Sequence, residues 1–253
     1  MKIFLQFNFF YIDLYLIRII YFIGIKYKEK GGRMAIQDMS KFKQILTKER
    51  FYVVLNDRKI LRDGDTDFRL IWSTKESAES YLKSYEITKY DKIMELDLDR
   101  FVTYEMDDIL DEGDQFIVDK SAEDNGIKVE AIPFIEEIMS ELDDIRIDEF
   151  AEDICNENYV YGLTVKGQKQ FIIVSEEDAS LPNMMTVWST RKLAEKVHRD
   201  DFEEYDIIEV ETEVFEEWLE DLKQEDIALG INLKSGVIGT VTDPKAILNA
   251  MPC

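Results

Sequence analysis

The feature that most constrains this chain is a segment it carries twice. Trp72-Ser73-Thr74-Lys75, followed by Ala78-Glu79, returns 116 residues later as Trp188-Ser189-Thr190-Arg191, followed by Ala194-Glu195. A second match in nearly the same register argues against chance. Ile93-Met94-Glu95-Leu96-Asp97-Leu98-Asp99-Arg100-Phe101 lies against Ile207-Ile208-Glu209-Val210-Glu211-Thr212-Glu213-Val214-Phe215 at an offset of 114, and Tyr104 then meets Trp218. A spacing this long signals a duplicated domain, because solenoid repeats recur every 20–50 residues or so.

Each copy predicts the same local order. A strand ends at Trp72 or Trp188, and a helix follows. Ser73 is the expected N-cap, with Glu76 completing a capping box, and Ser189 caps the second helix. Ala78, Tyr81, Leu82 and Tyr85 recur at helical spacing, as do Leu193, Ala194 and Val197. A strand follows, Ile93–Leu96 or Ile207–Val210, and then a second helix. In the later copy Phe215, Trp218, Leu219 and Leu222 form its apolar face, and Glu216, Glu217, Glu220 and Asp221 its wet face. A last strand lies near 116–118 or 227–233. The second copy starts with a hairpin, Tyr159–Val165 with Gln170–Val174, and the first begins similarly at Phe51–Leu55 with a shortened one. Another hairpin is expected around Lys234-Ser235-Gly236, then a helix opened by Asp243-Pro244. Helices from Pro133 and near Ile147–Cys155 occupy the stretch between the copies.

The expected fold class is therefore α+β: two tandem small domains, each an antiparallel or mixed sheet with two main helices. The boundaries are 34–120 for a degenerate first copy, 121–157 for a helical linker and 158–253 for a better preserved second copy. The Trp-Ser-Thr helix start and the later Phe-x-x-Trp helix resemble an uncharacterised bacterial domain family of unknown function. The resemblance is best from about Tyr159 to Met251 and partial in the first copy, where Tyr104 stands for the helix tryptophan. It implies the fold and no activity.

Residues 1–33 differ from the rest. They hold six basic and two acidic residues, a net of +4, whereas the remainder carries −27 of the total −23. An anchor over Ile3–Ile25 has adequate length, but Gln6, Asn8, Asp13 and Arg18 interrupt it. A signal peptide is disfavoured by basic residues that follow the apolar run and by the lack of a small-residue cleavage site. A misassigned start is the favoured reading: the stretch is rich in residues with AT-rich codons. Gly31-Gly32 can be encoded by GGAGGN, a ribosome-binding sequence one codon before Met34.

The charge argues against nonspecific nucleic-acid binding, which needs Lys and Arg to neutralise phosphates. It suits a basic protein partner. No specific chemistry emerges. His198 is the only histidine and reads as a cation at a helix C-terminus. Arg62-Asp63-Gly64-Asp65-Thr66-Asp67 starts like a calcium loop. Counting from Asp63, however, Phe68 and Thr74 occupy the positions that require glycine and glutamate. Asp107, Asp108, Asp111, Glu112 and Asp114 form an acidic run without a distinguished pair. Trp72 and Trp188 read as core corners. Cys155 and Cys253 lack CxxC spacing, so neither a zinc site nor a redox pair is suggested, and a reducing cytoplasm fits. No cofactor or metal is expected.

The leading expectation is a cytoplasmic, non-enzymatic protein-interaction module, in concrete form an immunity-type inhibitor of a basic toxin. Its candidate surface is Glu216, Glu217, Glu220 and Asp221 with Glu176, Glu177 and Asp178. The alternative is a carboxylate-based enzyme or small-ligand binder with a cleft between the copies. No membrane association is expected unless residues 1–33 are native.

Overall fold

The computed structural model describes residues 10–12, 39–64, 66–168, 170–174, 183–237 and 239–253. The first described element is β1 (Phe10–Ile12). A 3-10 turn, Met39–Phe42, then leads into α1 (Lys43–Lys48). Next come β2 (Arg50–Asn56), β3 (Lys59–Ile60), β4 (Arg69–Trp72), α2 (Lys75–Ser84) and β5 (Lys92–Asp97). The helical segment α3 joins Leu98–Arg100, a π-helical Phe101–Glu105 and Met106–Ile109. β6 (Gln115–Val118), β7 (Ile127–Glu130) and the 27-residue α4 (Ala131–Glu157) follow. The rest is β8 (Tyr159–Val165), β9 (Ile172–Val174), β10 (Asn183–Trp188), α5 (Arg191–Asp201), β11 (Tyr205–Glu211), α6 (Thr212–Gln224), β12 (Ile227–Ile231), β13 (Thr240–Thr242) and α7 (Pro244–Ala250). Among the described residues no helix is long and apolar enough to cross a membrane.

The class is α+β with two mixed sheets, as expected. The described residues form two compact units, 39–142 and 143–253, with β1 belonging to the second. In the first unit β5 pairs with β2 from Arg50↔Asp97 to Leu55↔Lys92. The other edge of β2 pairs antiparallel with β4 and then with β3. β4 runs parallel to β6, and β6 antiparallel to β7. The second unit repeats these directions: β11 against β8, β8 against β10, β10 parallel to β12, and β12 against β13. β9 extends this sheet beside β10, and β1 runs parallel to β9.

Each sheet buries both faces. In the first unit α2 covers one face, packing Trp72, Ala78, Tyr81 and Leu82 with Val54, Leu70 and Ile117. The opposite face is an aromatic layer, with Phe51 edge-on to Phe101, and Phe134 edge-on to Phe42 and Phe116. In the second unit α5 closes one face over Leu163, Met184 and Trp188. The end of α4 with α6 and α7 closes the other, around Phe150, Ile154, Val187, Phe215, Leu219 and Ile247.

Several expectations change. The segment read as a linker, 121–157, is divided between the units. Its first part supplies β7 and the start of α4 to the first sheet, and the unit boundary falls after Leu142. The two short helices expected there are one, α4, since Pro133 sits in its first turn, where no N–H partner is lost. The shortened hairpin of the first unit is β2 with β3. Asp57 and Arg58 both take left-handed φ (50° and 62°), which matches a two-residue turn to strand twist. The anchor and start-site readings for residues 1–33 lie outside the described residues apart from β1.

Candidate functional site

The repeated tryptophan segment forms the same hydrogen-bonded corner in both units. In the second, Trp188 is buried and its Nε1–H donates to the Leu233 carbonyl at 3.0 Å. The Asn232 N–H donates to the Val187 carbonyl at 2.9 Å, and its Oδ1 accepts the Ser189 N–H at 2.8 Å. In the first, Trp72 donates to the Lys120 carbonyl at 3.0 Å. Asp119 donates its N–H to Ile71 at 2.9 Å and accepts the Ser73 N–H at 2.8 Å. Asp119 and Asn232 adopt left-handed φ of 54° and 46°, a conformation that Asn and Asp tolerate better than other side chains. A second corner also recurs. The Glu49 and Asn158 carbonyls accept the Leu98 and Thr212 N–H groups at 2.9 and 3.1 Å.

These bonds move the helix caps. Thr74 and Thr190, not Ser73 and Ser189, are the N-caps, accepting the Ser77 and Leu193 N–H groups at 3.1 and 3.4 Å. Ser73 and Ser189 are displaced from capping because their own N–H groups are held by Asp119 and Asn232. Ser189 is buried; its hydroxyl donates to Asp153 at 2.9 Å and accepts from Asn232 Nδ2 at 3.2 Å. The expected capping box through Glu76 does not form. The corner is architecture, and both tryptophans are spent on packing.

On α6 the amphipathic division holds. Phe215, Leu219 and Leu222 are buried, and Trp218 packs edge-on to Phe171 with centroids 5.4 Å apart. Glu216, Glu217, Glu220 and Asp221 are all exposed. None of the four enters an ion pair among the described residues. Glu176, Glu177 and Asp178 lie outside the described residues. The first unit presents a different surface here. Val118 lies seventeen positions after Phe101, whereas Ile231 lies sixteen positions after Phe215, residues equated by the strand registers. The additional residue is absorbed in the π-helical Phe101–Glu105, the wider turn that suits an insertion. Tyr104 is left half exposed where Trp218 packs inward.

Three of the remaining acidic candidates are partnered. Asp63 pairs with Lys120, and Asp67 with Arg62 at 2.6 Å. Asp65 lies outside the described residues. Asp114 is held by Arg69 at 2.8 Å and accepts the Asp111 N–H at 2.8 Å, so the acidic run around it is partly a turn. Among the described residues no group of three or more His, Cys, Asp or Glu side chains could hold a metal ion. His198 sits in the last turn of α5, with Nε2 2.9 Å from the Tyr205 carbonyl.

The resolved titration shifts all point away from neutral pH. Burial, then Asp63 and Tyr85, pushes the Tyr81 phenol up to about 12. The hydrogen bond to Glu95 raises Tyr52, and burial followed by Glu204 raises Tyr205. The hydrogen bond to Glu209 raises Arg191. None of these four groups is thereby poised for general acid–base catalysis, which favours a pKa near the working pH.

One reading is corrected outright. Cys155 and Cys253, 98 residues apart, are joined in a disulfide with Cα atoms 5.8 Å apart. Sequence spacing could not show this, because the fold alone brings the end of α4 beside residue 253.

Residues 147–251 match the family described as protein of unknown function (DUF2750). No curated protein matches the chain. Among solved structures, Anabaena Tic22 (protein transport) is similar over 76% of this chain and 92% of that one, at 9% identity and a TM-score of 0.21. A likeness that low carries no argument about this chain.

Proposed function

We propose that the chain is a tandem duplication whose second unit is a non-enzymatic protein-interaction module for a basic partner. An immunity-type inhibitor of a basic toxin is its concrete form. The carrying observation is α6, whose inner face is filled by Phe215, Leu219 and Leu222 while four carboxylates on its outer face stand exposed. On a chain of net charge −23 such a face steers a cationic protein into contact, with strong salt dependence. The shared hydrogen-bonded corners and strand directions support the duplication. The π-helical turn and outward Tyr104 support assigning the surface to the second unit only.

The start at Met34 and a cytoplasmic location belong to the same proposal. The second has less support once Cys155 and Cys253 pair, since disulfides persist mainly in oxidising compartments. Peptide mapping of the native protein tests the start; any native peptide from upstream of Met34 rejects it.

The functional test compares the full chain with the variant E216Q/E217Q/E220Q/D221N. Each is used to capture basic proteins from native lysate at low and high salt. The reading expects a basic protein retained by the wild type at low salt, released at high salt, and lost with the variant. Equal capture by both chains, or no salt-sensitive basic protein, overturns it.

A further inference from the structure

We propose that the Cys155–Cys253 disulfide is a reversible redox latch that fastens α7 and residues 251–253 to the end of α4. α7 is a short helix that buries Pro244 and Ile247. It is seven residues long, capped by Asp243, which accepts the Lys245 N–H at 2.7 Å. An isolated helix shorter than about 12–15 residues is marginal in water, so its order depends on tertiary contacts. Ile247 is buried in the α4–α6 cluster, and Leu248 and Met251 pack against it only in part. The disulfide then ties residue 253 to the last turn of α4.

The first unit shows what the crosslink replaces. β7 pairs with β6 as β13 pairs with β12, with Phe116↔Val129 matching Leu229↔Thr242. That register sets Phe134 against Ile247, both buried, and Ser140 against Cys253. The recurrent carbonyl corner sets Glu49 against Asn158, and hence Leu46 against Cys155. Neither cysteine has a counterpart. The helix after β7 instead begins the 27-residue α4 and is sustained by propagation. Only in the second unit does the corresponding helix rest on a bond that redox chemistry can break.

Access favours reversal. Cys253 is exposed and Cys155 half-buried. A thiolate of a dithiol reductant attacks the Cys253 Sγ, and the Cys155 sulfur leaves as thiolate and takes a proton. The second thiol of the reductant then displaces Cys253 as a thiol and closes the reductant's own disulfide. The S–S bond of the protein is broken, one forms in the reductant, and two electrons and two protons pass to the protein. With the bond gone, α7 exchanges between docked and frayed states while the sheet beneath persists.

The test is hydrogen exchange of the full chain, followed by mass spectrometry, with and without dithiothreitol. Alkylation before reduction first counts the thiols. Two free thiols in chain purified under air overturn the pairing. Given the disulfide, the latch requires α7 amides to exchange at least about tenfold faster after reduction, while β10 and β12 stay protected. The exposed-site variant Cys253→Ser should show the fast α7 pattern with or without dithiothreitol. Unchanged α7 exchange after reduction overturns the latch, and so does loss of protection in α7 and the sheet together.

Discussion

Asn232→Ala is the sharpest probe of the corner around Trp188. Asn232 does three things there. It holds a left-handed φ of 46°, its Oδ1 accepts the Ser189 N–H at 2.8 Å, and its Nδ2 donates to the Ser189 hydroxyl at 3.2 Å. Ser189 is fully buried, so removing the acceptor strands a buried N–H, at a cost of about 1–3 kcal/mol. Alanine at left-handed φ adds about 1–2 kcal/mol, because it lacks the short polar side chain whose local hydrogen bonding offsets this strain in asparagine. The expected loss is therefore about 2–5 kcal/mol. Asn232→Gly isolates the first contribution, since glycine adopts this φ freely, and should be milder than alanine by about 1 kcal/mol. The assay is urea unfolding, with the midpoint shift read at constant slope. Pulsed exchange labelling of β10 and β12 peptides reports the second unit apart from the first. If Asn232→Ala lies within about 0.5 kcal/mol of wild type, or glycine costs as much as alanine, the corner is not held as described.

Two further outcomes follow from packing and burial. The Tyr81 phenol is raised from an ordinary 10.0 to about 12 in the folded chain. The unfolded chain therefore loses its proton first. This contribution to stability is complete below about pH 10 and lost as pH rises toward 12. Thermal melts from pH 9 to 12 should show Tyr81→Phe falling less steeply than wild type; identical slopes would refute the burial argument. At Gly162 a Cβ would sit 1.9 Å from the Phe171 ring, which itself packs on Trp218. Gly162→Ala should destabilise the second unit by about 1–3 kcal/mol through overpacking, seen as a lower melting temperature. An unchanged melt would show that Phe171 moves aside at no cost.

Much of the fold was readable as pattern. The two strands were marked by the tryptophans that end them and are buried on both faces, while helical spacing located α2, α5 and α6, because each of these helices buries one face regardless of its neighbours. The wet face of α6 was legible for the same reason. The caps were placed one residue early: Ser73 and Thr74 are both good capping residues. The choice between them is made by Asp119, 46 residues away. The two-residue turn at Asp57-Arg58 carried no glycine to announce it. β7 alternates cleanly as Ile127-Lys128-Val129-Glu130, but four residues are too few to claim a strand before their partner β6 is known.

Local chemistry thus carried the α+β class and the amphipathic face of α6, since these follow from side-chain periodicity along a short stretch of chain. Three features depended on contacts between residues far apart in sequence. They are the hydrogen-bonded use of Ser73 and Ser189, the outward turn of Tyr104 through the π-helical insertion, and the joining of Cys155 to Cys253. Periodicity reports which face of an element is buried. It says nothing about which distant carbonyl, carboxylate or sulfur lies at the other end of a bond, because that is set by how strands register and helices pack.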